Sequence, residues 1–133
     1  MSLTIDDRLA IHELIHLHGH LVDRGEWARL RELFTGDVVY DLRPYGGAEL
    51  HGIDAIASAS RALGDRNPVG HHVTNVVIAD ADDEVVHVIS KGIGVLADGT
   101  CGSVVYEDEV RRESSGWRIA RRRVVPRREP LHP

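Results

Sequence analysis

Cysteine is almost missing from this chain. The one present, Cys101, excludes an internal disulfide and fits a reducing cytoplasm, the compartment expected for the protein. Long apolar runs are missing too. None approaches the roughly 20 residues that a membrane-spanning helix needs, so no membrane association is expected. The opening residues, MSLTIDDR, lack the charged-then-apolar pattern of a secretory leader. Positive charge is not in excess: 16 Lys and Arg stand against 21 Asp and Glu, a net charge of -5 that argues against a nucleic-acid binder. There is no internal repeat and no low-complexity segment. What remains is one expected domain over residues 1–133, large enough to bury a core without staples. Its 42% hydrophobic and 28% charged residues are those of an ordinary globular protein.

Histidine is plentiful by contrast. Four of the nine lie in one stretch, at positions 12, 16, 18 and 20. Thr4, Asp6 and Asp7 precede this stretch and suit a helix N-terminus, where acids favour the exposed N–H groups. Leu14, Ile15, Leu17, Leu21 and Val22 recur at three- and four-residue steps, which predicts a helix from about Ile5 to Arg24, stopped at Gly25. A short second helix is expected to carry Trp27, Leu30, Leu33 and Phe34 on one face. Thr35-Gly36-Asp37 reads as a turn, Val38 to Tyr40 as a strand, and Glu49 to His51 as a short returning strand. Asp54 is placed to cap a third helix, Ala55 to Leu63.

Beyond Gly70 the pattern changes. Runs at His71 to Ala79, Val85 to Leu96, Ser103 to Arg112 and Trp117 to Val125 are rich in β-formers. Asp80 to Asp83, Asp98-Gly99 and Ser114 to Gly116 separate them as turns. Helices followed by an antiparallel meander make an α+β pattern, with one sheet face covered by the helices. Residues 126–133 hold three prolines and read as an extended tail.

Several residues could carry chemistry. Asp23, near the C-terminal end of the first helix, opposes the helix dipole and is tolerable there as an ordinary surface acid. Paired with a histidine of the 71–72 pair it would instead orient a general base. Adjacent strand residues point to opposite faces, so at most one of His71 and His72 faces the helices. His12-Glu13-Leu14-Ile15-His16 matches the pattern of zinc-binding helices, but a third ligand and a larger domain are wanting, and no metal is expected. An exposed polar stripe is the simpler reading of His12, His16 and His20. The basic run 118–128 alternates across a strand. An arginine on its inner face would need an acidic or anionic partner. Nothing near Cys101 marks it as a nucleophile.

Taken together, these pieces resemble the SnoaL-like branch of the NTF2-like superfamily. The resemblance rests on Leu21-Val22-Asp23-Arg24-Gly25-Glu26-Trp27, Leu33-Phe34-Thr35-Gly36-Asp37 and Gly52-Ile53-Asp54-Ala55-Ile56. It continues through His71-His72-Val73-Thr74-Asn75, Tyr106-Glu107-Asp108 and Gly116-Trp117-Arg118-Ile119-Ala120, and so runs over nearly the whole chain. It implies a cone: a strongly curved antiparallel sheet packed on three N-terminal helices around a pocket.

The members most similar in function are scytalone dehydratase, bile-acid 7α-dehydratase and hexachlorocyclohexane dehydrochlorinase. They imply a lyase that removes water or HCl without a metal or organic cofactor. They also imply an Asp–His dyad at Asp23 and His71, with His72 the alternative if the register slips by one. His18 falls where the dehydrochlorinase has a lysine, and Arg122 where it has an arginine. Both would stabilise developing negative charge. A second histidine that scytalone dehydratase carries has no counterpart around Cys101 to Ser103. The implied pocket wall comprises Val22, Tyr40, Leu42, Ile56, His72 and Tyr106, and the implied ligand is small and mostly apolar. The family also contains cyclases, isomerases and non-catalytic binding proteins, so the fold does not decide the function. Relatives of this shape associate through the open sheet, which implies a homo-oligomer, trimer or dimer.

Overall fold

The computed structural model describes residues 2–132. Its first helix, α1 (Ile5–Asp23), begins where side-chain chemistry allows. Thr4 accepts a hydrogen bond from the Asp7 N–H, and the Asp7 carboxylate accepts one from the Thr4 N–H. This reciprocal cap satisfies two N–H groups that have no partner inside the helix. Ile11, Leu14, Ile15 and His18 then share one buried face at the i, i+3, i+4, i+7 spacing. Gly25 follows the helix with φ of 63°, where glycine pays no Cβ penalty.

The expected second helix is a 3₁₀ segment, Trp27–Glu32, and it is shorter than the periodicity predicts. Phe34 does not belong to it. Strand β1 (Phe34–Asp41) starts there and includes Thr35-Gly36-Asp37, with a break in its register with β6 between Phe34 and Val39, so the expected turn is absent. β2 (Glu49–His51) pairs antiparallel with β1. Helix α2 (Ile53–Leu63) starts two residues before the expected point, with Gly52 at its N-cap and Asp54 inside the first turn.

Four long strands follow: β3 (Gly70–Ala81), β4 (Val86–Val95), β5 (Cys101–Glu113) and β6 (Gly116–Arg127). They form the expected antiparallel meander. β6 continues past Val125 to Arg127, which shortens the extended tail. β1 joins the far side of this meander in parallel with β6, so the curved six-stranded sheet is mixed, in the order β2-β1-β6-β5-β4-β3. A parallel pair of strands this far apart in sequence leaves no local turn signal, which is why the pattern of residues does not reveal it.

Helices α1 and α2 cover one face of the sheet. The core between them includes Ile11, Ile15, Leu30, Leu33, Val38, Val86, Val110 and Ile119, all fully buried. β3 breaks register between Thr74 and Val77, where Asn75 takes φ of 54°. Asparagine is among the few residues that accept this left-handed backbone. No helix among the described residues is long and apolar enough to cross a membrane.

Candidate functional site

Helix α1 meets β3 at an unusually close approach. Gly19 lies on the buried face of α1, and a Cβ built there would sit 2.4 Å from the backbone oxygen of His71. The missing side chain is what lets the strand lie this near the helix. One turn further along α1, Asp23 then reaches His71 three ways. Its two carboxylate oxygens accept from the His71 backbone N–H at 3.1 and 3.0 Å, and Oδ1 lies 2.6 Å from His71 Nδ1. One acid therefore holds both the strand and the ring. With Nδ1 engaged, Nε2 is the ring nitrogen with no protein partner among the described residues.

Next to this pair lies a cavity of about 740 Å³, a size suited to a small organic molecule. His18, His71, Val22, Tyr40, Leu42, Ile56 and Tyr106 line it. Three other sequence-predicted residues do not. Asp23 stands behind His71. His72 faces the opposite side of β3, exposed and in register with Ile93, because neighbouring strand residues alternate between faces. It is thereby removed from the expected wall. Arg122 is 0% exposed and lies beneath the wall, not in it.

Sequence reasoning missed much of the remaining wall. Leu50, Leu63, Val104 and Val124 add apolar surface, and the loops around Gly46 and Thr100 close the rim. The alternation of β5 and β6 places Val104 and Val124 on the inner face with Tyr106, and that signal could have found them. The loops carry no such signal. Cys101 and Thr100 are part of this rim.

The electrostatics are unusual for a site with two histidines. His18 is 3% exposed and its Nδ1 is buried with no hydrogen-bond partner. Burial first, and then the Arg122 cation and His71, hold its ring well below the usual histidine range. It is an uncharged imidazole at neutral pH. Its ring lies 6.1 Å from that of His71 and 6.0 Å from that of Tyr106, both edge-on, and 6.4 Å from Tyr40, nearly parallel. Burial likewise pushes the Tyr40 and Tyr106 phenols up, so both remain O–H donors.

Arg122 is sealed by a bidentate pair with Asp108, at 2.7 and 2.8 Å, and both side chains are fully buried. Its guanidinium lies 4.1 Å from the centre of the Tyr106 ring, on the side away from solvent. Among the described residues, no arginine, lysine or carboxylate lines the cavity.

The helix histidines stay outside the site. His12 and His16 stack loosely along α1, with ring centres 6.5 Å apart, and His16 and His20 are exposed. No group of three or more possible metal ligands forms among the described residues.

Comparison with known proteins places this geometry in a family. A relative in Mycobacterium tuberculosis, the uncharacterised protein Rv2910c, is 30% identical over 124 residues, covering 89% of this chain and 84% of the relative. The crystal structure of a candidate aromatic ring hydroxylase from Novosphingobium aromaticivorans matches with a TM-score of 0.80 at 27% identity, over 96% of this chain and 94% of that one. A candidate scytalone dehydratase from the same organism matches in fold, with a TM-score of 0.74 at 20% identity, over 94% and 89% of the two chains. The SnoaL-like domain model matches residues 3–123, and on that coverage the chain belongs to the SnoaL-like family, with the α+β cone of NTF2-like proteins.

Proposed function

We propose that this protein is a lyase of the dehydratase type, acting without a cofactor on an uncharged, mostly apolar small molecule. The observation that carries the reading is the triple grip of Asp23 on His71. It fixes the ring and commits Nδ1 to the acid, and in this reading Nε2 is the base.

In this reading a substrate with a hydroxyl group β to a carbonyl enters the cavity. His71 Nε2 takes the proton from the carbon next to the carbonyl. Asp23 stabilises the imidazolium that forms, as in other carboxylate-oriented histidines. The C–H electron pair becomes the enolate and then the new C=C bond as the C–O bond breaks. His71 returns its proton to the departing hydroxide, which leaves as water. His18, Tyr40 and Tyr106 line the cavity, and in this reading His18 and the Tyr106 hydroxyl are the uncharged donors for the developing enolate oxygen. A wall with no cation suits a substrate without carboxylate or phosphate. Arg122 acts from behind the wall and does not touch the substrate.

A base of this kind contributes about 10²- to 10⁴-fold. The test is a panel of uncharged cyclic β-hydroxy ketones, followed by the absorbance of the conjugated enone product. His71→Ala and Asp23→Asn are expected to lower turnover by about 10²-fold or more. If these variants bind the same ketones with unchanged affinity and wild type turns over none of them, the reading fails. The protein is then a small-molecule binding protein, which the size of the cavity would suit. The same dyad would also serve a cyclase or an isomerase, which product analysis separates from a dehydratase.

Copies of the chain are proposed to associate through the outer sheet face, as trimers or dimers. Val77, Ile89 and Ile93 stand exposed on that face.

A further inference from the structure

From behind the cavity to its wall, four side chains from two strands and α1 are stacked in a row. Asp108 on β5 holds Arg122 on β6. The Arg122 guanidinium lies under the Tyr106 ring of β5 at 4.1 Å, and the Tyr106 ring meets His18 of α1 at 6.0 Å. Each link is fixed by a separate feature of the chain. Arg122 and Asp108 face one another in register across β5 and β6. Gly92 on β4 makes room for the Tyr106 ring, since a Cβ there would lie 2.5 Å from it. Tyr40 on β1 is in register with Arg122 and closes the row from the other side.

A fully buried ion pair beside a cavity calls for an explanation beyond stability. Apolar residues of similar volume often serve stability as well or better. This pair is also incompletely satisfied: Nη1 of Arg122 is buried with no hydrogen-bond partner among the described residues. The pair is oriented, with the guanidinium beneath the Tyr106 ring and the Asp108 carboxylate on its Nε and Nη2. A buried positive charge one ring away from an imidazole opposes a second positive charge on that imidazole, and low polarity strengthens the effect.

We propose that Arg122, held by Asp108 and acting through the Tyr106 ring, is a positioning residue that keeps His18 an uncharged hydrogen-bond donor to the ligand instead of a second base. Of the groups facing His18, Tyr40 from β1 and Tyr106 from β5 are uncharged phenols, His71 comes from β3, and Arg122 lies behind from β6. Asp23 is on the far side of His71, and Asp108 on the far side of Arg122. Among the described residues, no carboxylate is among the groups that act on His18. The consequence for the cavity is a division of labour between two histidines of identical chemistry. The one with an acid behind it can accept a proton and carry it. The one with a cation behind it cannot.

The donor role rests on the proposed reaction, but the charge state of His18 does not, and it is measured without substrate. Full-length protein labelled with ¹⁵N in its histidine rings would be titrated by NMR. In wild type, the His18 nitrogens are expected to keep neutral-ring shifts well below pH 6.5, the ordinary histidine midpoint. In Arg122→Met/Asp108→Leu, which exchanges the pair for apolar side chains of similar bulk, His18 should take up its proton at a pH higher by roughly half a unit or more. Arg122→Lys, which restores the charge, should return it toward the wild-type value. Protonation of wild-type His18 near its ordinary midpoint would overturn the proposal, and so would identical titrations in wild type and the folded double variant. If the double variant does not fold, Arg122→Gln/Asp108→Asn, which removes both charges but keeps polar partners, takes its place, with the same upward shift expected and an unchanged midpoint overturning the proposal. A failure here would leave the lyase reading standing, because that reading is tested on His71 and Asp23 by turnover.

Discussion

The backbone oxygen of His71 occupies the space in which a side chain at position 19 would begin: a Cβ on Gly19 would fall 2.4 Å from it. The distance between α1 and β3, and with it the reach of Asp23 to His71, is set by an atom that is not there.

Gly19→Ala is therefore expected to reverse the usual sign of a glycine-to-alanine change in a helix. Alanine ordinarily gains about 0.5–1 kcal/mol there. Here the methyl meets backbone oxygen, which cannot rotate away, and a loss of about 1–3 kcal/mol is expected instead. Urea denaturation measures it. The same variant should move the His71 ring resonances, because the strand must retreat from Asp23.

Asp23→Ala removes two acceptors from the His71 N–H and one from its ring. Both side chains are about a fifth exposed, so water replaces part of the loss. The expected cost is about 1–2 kcal/mol in a denaturant titration. Asp23→Asn, which keeps one oxygen, should cost less stability while still losing the correct ring tautomer. A stability loss without any effect on turnover of a competent substrate would separate the structural role of Asp23 from its proposed chemical one.

The depressed His18 ring makes the fold sensitive to acid. Below pH of about 6.5 the unfolded chain binds a proton at position 18 that the folded chain refuses. Stability should therefore fall with decreasing pH, at up to about 1.4 kcal/mol per pH unit, until folded His18 is itself protonated. His18→Gln should flatten that part of the profile. His87 works in the opposite sense and in a different window. Its hydrogen bond with Asp80 raises it, so its contribution is complete below pH of about 6.5 and is lost as pH rises through its folded value. The pair is largely exposed, and solvent screens it. Thermal melts from pH 5 to 8 of wild type and His18→Gln would show which slope belongs to which histidine.

The outer sheet face gives a prediction about assembly. Ile89 is exposed there and in register with Glu107. Sedimentation at micromolar concentration should find a trimer or dimer in wild type and a smaller species in Ile89→Asp, which sets an acid beside an acid. A wild-type monomer would count against the assembly.

How much of this was legible in the sequence depended on distance along the chain. The cap at Thr4, the stripe of α1 and the four-stranded meander are written in local spacing, and they fold as that spacing predicts. The opposite orientations of His71 and His72 follow from strand geometry, but which of them faces inward depends on where β3 docks, and Gly19 decides that from another element. Arg122 was named by the family resemblance, and its spacing within the run of arginines did not single it out. Arg123 holds the exposed Glu107, and Arg121 holds the buried Asp41 while itself staying partly exposed, so nothing in the run marks Arg122 as the one that is buried together with its partner. The 3₁₀ segment and the early start of β1 were hidden for a further reason. Leu33 and Phe34 are apolar and suit either a helix face or a strand, and tertiary pairing with β6 chose the strand.

The parallel seam between β1 and β6 also dictates when this protein can work during its own synthesis. Asp41 and Arg121, bonded across that region, are 80 positions apart, and Tyr40 pairs with Arg122 in the same ladder. A chain emerging from the ribosome carries α1, β1 and His71 long before β6 exists. Until the last strand is made, the Tyr40 wall has no sheet to lean on, and the Arg122–Asp108 pair has only its acid. Closing so long a loop is slow, and the unpaired edge of β1 stays open to other chains meanwhile. The cavity is complete only once β6 has been made, and a nascent chain stalled before residue 116 would carry Asp23 and His71 without the chamber beside them.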